Sequence, residues 1–200
     1  MGIRRAREDD IDDLYAVCLG TGEDGSDATG LYDDPRLLGE VYVGAYLRHS
    51  PAFAWVHADD NDRARGYALA VLDTASFEEE LAGSWWPALQ ARHPLVPASS
   101  NPRDAELIEN VHRPPRRASW LIDAYPSHLH LDMLPDVQGG GRGGRMLRTM
   151  LDALTEAGST GVHLGVAPAT ARAIGFYQHF GFEADPRGSS EGELLMHRAL

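Results

Sequence analysis

Apolar and polar positions in this chain alternate with two periods, about 2 and about 3.6 residues, and each change of period marks a new element. Residues 3–7 predict a short first strand, and Asp9 or Asp10 is placed to cap a helix over 11–19. The Gly-, Asp- and Thr-rich stretch 21–30 predicts a loop, and Pro35 suits the first turn of a second helix reaching residue 48. Two apolar segments, 52–58 and 65–72, flank Asp59-Asp-Asn-Asp and predict a β-hairpin. An amphipathic helix follows over 77–91, with Trp85, Trp86 and Leu89 on its apolar side. Pro94, Pro97 and Pro102 predict a loop over 93–103, and a short helix over 104–112 is stopped by Pro114-Pro115.

The second half is more regular. It predicts a strand over 129–134, a glycine cluster, a helix over 142–157, a strand over 161–166, a helix over 169–180 closed by Gly181, and a last strand over 194–200. No repeat or low-complexity tract interrupts the order. Strands alternating with helices imply an α/β or α+β sheet, here in one domain over 1–200 with a helical insert at about 76–113.

Composition narrows the function classes. The formal net charge is −12, and all 18 basic residues are Arg. Charge of that sign repels nucleic acid and acidic membrane and favours a cationic partner. No apolar run approaches the roughly 18 residues of a membrane span, and the start has no apolar signal-peptide stretch, which predicts a cytoplasmic protein. Cys18 is the only cysteine, so no internal disulfide and no thiolate metal cluster can form; its apolar surroundings predict a buried thiol.

The most informative segment runs from Leu131 through Gln138-Gly-Gly-Gly141-Arg-Gly-Gly144 to Leu147, five glycines within six residues between a strand and a helix. Glycines let a ligand approach the backbone, and unpaired amides at a helix start form an anion site. Residues 139–144 satisfy G-x-G-x-x-G literally, but the next strand, His163-Leu-Gly-Val-Ala, lacks the acid that would hold a ribose. A P-loop needs Lys, and the chain has none.

Gln138-Gly-Gly-Gly141-Arg-Gly143 resembles the pyrophosphate loop of the GNAT superfamily of N-acetyltransferases. Thr170-Ala-Arg-Ala173-Ile-Gly-Phe176-Tyr177-Gln-His-Phe-Gly181-Phe182 resembles that superfamily's second motif. Leu129-His-Leu-Asp-Met-Leu-Pro-Asp-Val-Gln-Gly, the loop Asp27-Ala-Thr-Gly-Leu-Tyr-Asp-Asp and the Trp85-Trp86 insert are similar to bacterial relatives of the acetyltransferase-like C-terminal domain of O-GlcNAcase. The resemblance implies a mixed, mostly antiparallel sheet of six to seven strands with helices on both faces. It also implies a V-shaped splay between strands four and five, and acetyl-CoA as cosubstrate.

Carried over residue by residue, Leu131 and Met133 would offer backbone groups to the pantetheine. The amides of Gly139, Gly141, Gly143 and Gly144 would hold the pyrophosphate, with Gln138, Arg142 and Thr170 completing the site. Thr170 stands where the family has Asn. Arg142, Arg145 and Arg148 follow at helical spacing near the same phosphates. Tyr177 matches the tyrosine that protonates the leaving thiolate. Candidate bases are His128, His130 and Asp132, which alternate on one strand face, with Asp132 and His130 preferred. The family's base positions fall on Ser127 and Leu129 instead, and its fifth-strand glutamate is Gly165 here, so either a bulge re-aims the strand or the base is a water chain. His128-x-His130-x-Asp132 also resembles a metallohydrolase pattern, but Met133 stands where that pattern continues with His, and no metal is expected. The acceptor, a small amine, would lie against Glu23, Asp24, Asp27, Asp33 and Asp34 with Tyr32, Tyr42 and Tyr46. A non-catalytic acyl-CoA-binding module and a protein N-acetyltransferase remain the alternatives, and a homodimer is open.

Overall fold

The computed structural model describes residues 2–95 and 101–200, so Pro97 of the expected loop lies outside the described residues. Seven strands form one sheet in the order β1-β2-β3-β4-β5-β7-β6. They are β1 (Gly2–Arg5), β2 (Ala54–Ala58), β3 (Ala64–Val71), β4 (Ser127–Met133), β5 (Gly161–Val166), β6 (Glu183–Ala184) and β7 (Leu194–Ala199). Only β4 and β5 run parallel; every other neighbouring pair is antiparallel. This is the mixed, mostly antiparallel sheet that the resemblance implied. The described helices are α1 (Ile11–Gly20), α2 (Leu37–Tyr42), α3 (Gly44–His49), α4 (Thr74–Glu80), α5 (Trp86–Arg92), α6 (Pro102–His112), α7 (Ser119–Ala124), α8 (Arg142–Glu156) and α9 (Ala171–His179).

Each sheet face has its own core. Strand β3 shows why: Tyr67, Leu69 and Val71 point to α1–α3, whereas Ala68 and Ala70 point to α8. The small residues let α8 lie close. Its Met146, Leu147, Met150, Leu151 and Leu154 recur at helical spacing and are buried against Leu129, Val162 and Leu164.

Four expectations are corrected. Asp10 does not cap α1: its buried carboxylate accepts from Arg4 and from the Arg7 amide, and a 3-10 turn, Glu8–Asp10, leads into the helix. The second helix breaks at Val43 because Tyr15 and Trp85 lie against the backbone; a Cβ on Gly44 would sit 2.3 Å from the Tyr15 hydroxyl. The long amphipathic helix begins earlier, capped by Asp73 on the Ser76 amide, and passes through a π turn, Leu81–Trp85. Pro87 lacks an N–H and crowds the carbonyl four residues back, which displaces the regular hydrogen-bond ladder there. Finally, Pro102 starts α6 rather than ending a loop, with Asn101 accepting from the Arg103 amide. The sequence reading missed α7 and the two-residue β6, each too short to show a period.

Among the described residues no helix is long and apolar enough to cross a membrane. Cys18 is buried, as expected, and burial pushes its thiol up to about 12.

Candidate active site

The site begins where β4 and β5 separate. Their ladder holds only Ser127↔Val162 and His128↔His163, after which the strands diverge. On its other edge β4 stays paired with β3 through Met133. The Leu134 amide donates to the Arg65 carbonyl, so by antiparallel alternation the backbone groups of Leu131 and Met133 turn away from β3, toward the gap. A cavity of about 230 Å³ fills the gap, walled by Leu129 to Asp132, Gly165 and Tyr177. A larger cleft of about 650 Å³ continues from it along the glycine loop.

That loop is built for backbone exposure. Gly139, Gly140 and Gly141 have φ of 79°, 58° and 71°, three consecutive left-handed residues that side chains would strain. The amides of Gly139, Gly140, Gly141, Gly143 and Gly144 donate to no acceptor among the described residues. They stand at the start of a 15-residue helix, whose dipole adds to their attraction for an anion. Arg142 and Arg145 fold back onto the Gly139 and Gly140 carbonyls, and Arg148 lies over the Phe180 ring. Gln138 and Met133 line the cleft, and the Gln138 amide donates to the Met133 carbonyl at 2.8 Å while its oxygen accepts from Arg172 at 2.8 Å. Gln138 thus braces β4 against α9 and leaves Leu131 with both backbone groups facing the gap. Thr170 also lines the cleft, with its hydroxyl turned onto the Ala167 carbonyl at 2.5 Å.

Tyr177 lines both cavities from α9, its ring held between Phe176 and Phe182. Its hydroxyl has no hydrogen-bond partner among the described residues. Burial first, and the Asp132 charge second, hold the phenol well above its ordinary range, so it stays protonated at neutral pH.

The three candidates on β4 differ sharply. His128 is locked. Thr74 Oγ1 donates to the Pro126 carbonyl, so it accepts from His128 Nδ1, and Nε2 then accepts from the Tyr46 hydroxyl at 2.7 Å. Burial keeps that ring neutral. Asp132 accepts from the Tyr67 hydroxyl at 2.7 Å; burial raises the carboxyl and this hydrogen bond opposes the rise. His130 lines the smaller cavity, stacks edge-on to Tyr46 at 5.4 Å, and forms no hydrogen bond among the described residues. Burial, reinforced by Arg117, lowers it to about 4, so the ring is neutral at neutral pH. Tyr67 had no mark in the sequence beyond its place opposite Asp132 in the β3–β4 register.

The acidic loop also sorts itself. Glu23 pairs with Arg103, Asp27 accepts from the Thr29 amide and Asp34 from the Arg36 amide. Asp24, with a left-handed φ of 51°, lines both cavities instead. Among the described residues no group of three or more His, Cys, Asp or Glu side chains could hold a metal ion.

Comparison with known proteins places this geometry. The model of the Acetyltransferase (GNAT) family matches residues 106–182, which include the splay, the glycine loop and α9. Rat protein O-GlcNAcase is 26% identical over 193 residues, covering 94% of this chain but 21% of the rat protein. Mouse protein O-GlcNAcase matches at 26% over 191 residues, so the chain spans about a fifth of the curated relatives' length. The crystal structure of SsHAT superposes with a TM-score of 0.84 at 30% identity, over 99% of this chain and 97% of that one. The Chaetomium thermophilum Naa20 structure, in complex with a bisubstrate analogue, shares the fold at a TM-score of 0.56 and 17% identity, over 100% of this chain and 87% of that one. With the parallel pair opening at its second rung and the glycine loop matched by the family model, the chain belongs to the acetyltransferase (GNAT) family.

Proposed function

We propose that this protein is an acetyl-CoA-dependent N-acetyltransferase that passes acetyl directly to the primary amine of a small cationic molecule. One observation carries the reading: a cleft that joins four glycine amides, unengaged among the described residues, at one end to Tyr177, Asp132 and His130 at the other. The amides of Gly139, Gly141, Gly143 and Gly144 would take the CoA pyrophosphate, and Leu131 through both backbone groups and Met133 through its amide would pair the pantetheine along the open edge of β4. Arg142 and Gln138 flank the phosphates. Asp24 and Asp132 would hold the acceptor's positive charge in the smaller cavity, whose size fits an alkylamine end rather than a folded surface. His130 would take the ammonium proton, since its ring is neutral and unengaged. Tyr177 would return a proton to the departing thiolate.

The absence of an acid at Gly165 motivates a second reading, an acyl-CoA-binding module without turnover. Release of CoA from acetyl-CoA in the presence of polyamines, aminosugars and aminoglycosides separates the two. Turnover with at least one amine is expected, and Asp24→Asn should raise KM for that amine about 10-fold or more while leaving kcat in place. Tight acetyl-CoA binding with no acceptor in the panel would replace the transferase reading with the binding module.

A further inference from the structure

Gly165 raises a question of space rather than of backbone conformation. It forms part of the wall of the smaller cavity, and its φ lies outside the left-handed region. A Cβ built on it would lie 2.4 Å from the carboxyl carbon of Glu193 and 2.5 Å from Oε1. The carboxylate of Glu193 therefore fills the volume that a side chain on β5 would occupy. It arrives from the residue just before β7, two positions from Leu195, the register partner of Gly165.

Glu193 is aimed. Arg117 donates to its Oε1 at 2.5 Å, and the Arg117 amide donates to Glu78 Oε1 at 2.9 Å, which ties the pair to α4. Along β5, Val162 and Leu164 are buried toward α8, so by alternation His163 and Gly165 face the other side. His128 faces that side too, its ring 5.7 Å from His163, and His130 lies two residues along from His128. Glu193 is thus on the acceptor side of the sheet. The groups around His130 there are Tyr46 from α3, His128 and Asp132 from its own strand, His163 from β5 and Asp24 across the cavity; the Arg117–Glu193 pair stands behind Gly165, which shares that cavity's wall with His130. Asp132 already accepts from Tyr67, and both nitrogens of His128 are engaged.

We propose that Glu193, held by Arg117 in the space of the missing Gly165 side chain, is the positioning carboxylate for His130, so that β7 supplies what β5 lacks. The inference rests on the assignment of His130 as base. The acceptor R–NH3+ gives a proton to His130, which becomes an imidazolium facing the Glu193 carboxylate. The free amine adds to the thioester carbonyl and the C–S bond breaks, leaving a protonated amide and the CoA thiolate. The Tyr177 hydroxyl protonates the thiolate, and the phenolate recovers a proton from the acetylated nitrogen. The His130 proton then leaves to solvent past the Arg117–Glu193 pair, whose side chains are 36% exposed each. One proton is released per acetyl transferred.

Glu193 raises the affinity of His130 for a proton and Arg117 lowers it, so removing either charge moves the ring in opposite directions. Glu193→Gln keeps the volume and an acceptor for Arg117. With an amine found by the screen, its turnover should fall about 10²-fold, as for loss of one preorganised electrostatic partner, with acetyl-CoA affinity unchanged. In NMR titrations the His130 ring, assigned by its loss in His130→Asn, should protonate at higher pH in Arg117→Gln and at lower pH in Glu193→Gln than in the unaltered protein. A pair too far away to act on the ring would not produce opposite shifts, and a pair that only braced the fold would leave turnover per folded molecule intact in Glu193→Gln. Unchanged turnover in Glu193→Gln, or one common His130 midpoint in all three proteins, overturns the proposal. The titration needs no acceptor, so failure to acetylate any amine would remove the transferase reading without deciding this one.

Discussion

On the α8 side of the splay the groups facing the cleft are backbone amides, supplied by consecutive residues of one loop. On the opposite side they are side chains drawn from far apart: His130 and Asp132 from β4, Tyr67 from β3, Tyr46 from α3, Asp24 from the loop after α1. In the proposed reading the first half would bind through conformation, which glycine at positive φ permits without strain. The second half would work through the burial of titratable groups, whose protonation is set by neighbours. Damage to the first should therefore cost affinity at any pH. Damage to the second should cost rate or shift a pH limb.

The largest effect is expected at Gly141. A valine there must adopt a φ of 71°, and the loop would move to relieve it. Gly141→Val should abolish CoA binding in calorimetry, since losing two or three charge-assisted hydrogen bonds removes on the order of 10³-fold or more in affinity. The fold should survive, because the position is open apart from the Arg145 side chain. Wild-type affinity in a folded Gly141→Val protein would remove the loop from the binding site.

Tyr177→Phe tests the other half. The ring remains between Phe176 and Phe182, so acetyl-CoA affinity should hold while turnover falls by roughly 10²–10⁴. Unchanged kcat, measured with an acceptor from the screen, would take the hydroxyl out of the reaction.

The smallest effect is on stability, and it separates the halves without any substrate. His130 and His163 are each lowered by burial from 6.5 to about 4. Between those values the unfolded chain binds protons that the folded one does not, so stability is full above about pH 6.5 and falls as pH drops toward 4. Denaturant midpoints should decline over that window by an amount worth on the order of 2–3 kcal/mol for each ring, and His130→Asn should flatten part of the decline. A flat profile from pH 6.5 to 5 would mean that these rings are not held neutral by burial.

The glycine loop was legible because its conformation is encoded locally: five glycines, a strand before and an amphipathic helix after. The three β4 candidates were legible as a group and not as individuals. Their shared face follows from period 2, but which one is locked depends on Thr74 and Tyr46, 54 and 82 residues away in sequence. The acidic loop read as a uniform cationic wall, whereas Arg103 and two backbone amides engage most of it and leave Asp24 at the cavity. Elements also went wrong where a distant residue intrudes, as Tyr15 and Trp85 do at Gly44.

From sequence alone came the alternating elements, the two-faced β4, the anion loop and the placement of Tyr177 on a helix beside it. These depend on residues within a turn or a strand of one another, where periodicity and glycine content carry the information. Only the tertiary structure decided where the β4–β5 ladder opens, that Tyr67 holds Asp132, and that Glu193 lies over Gly165. Each of those is a matter of register between strands or of a side chain crossing from another element, and a register shift of one residue reverses every face without altering the local pattern.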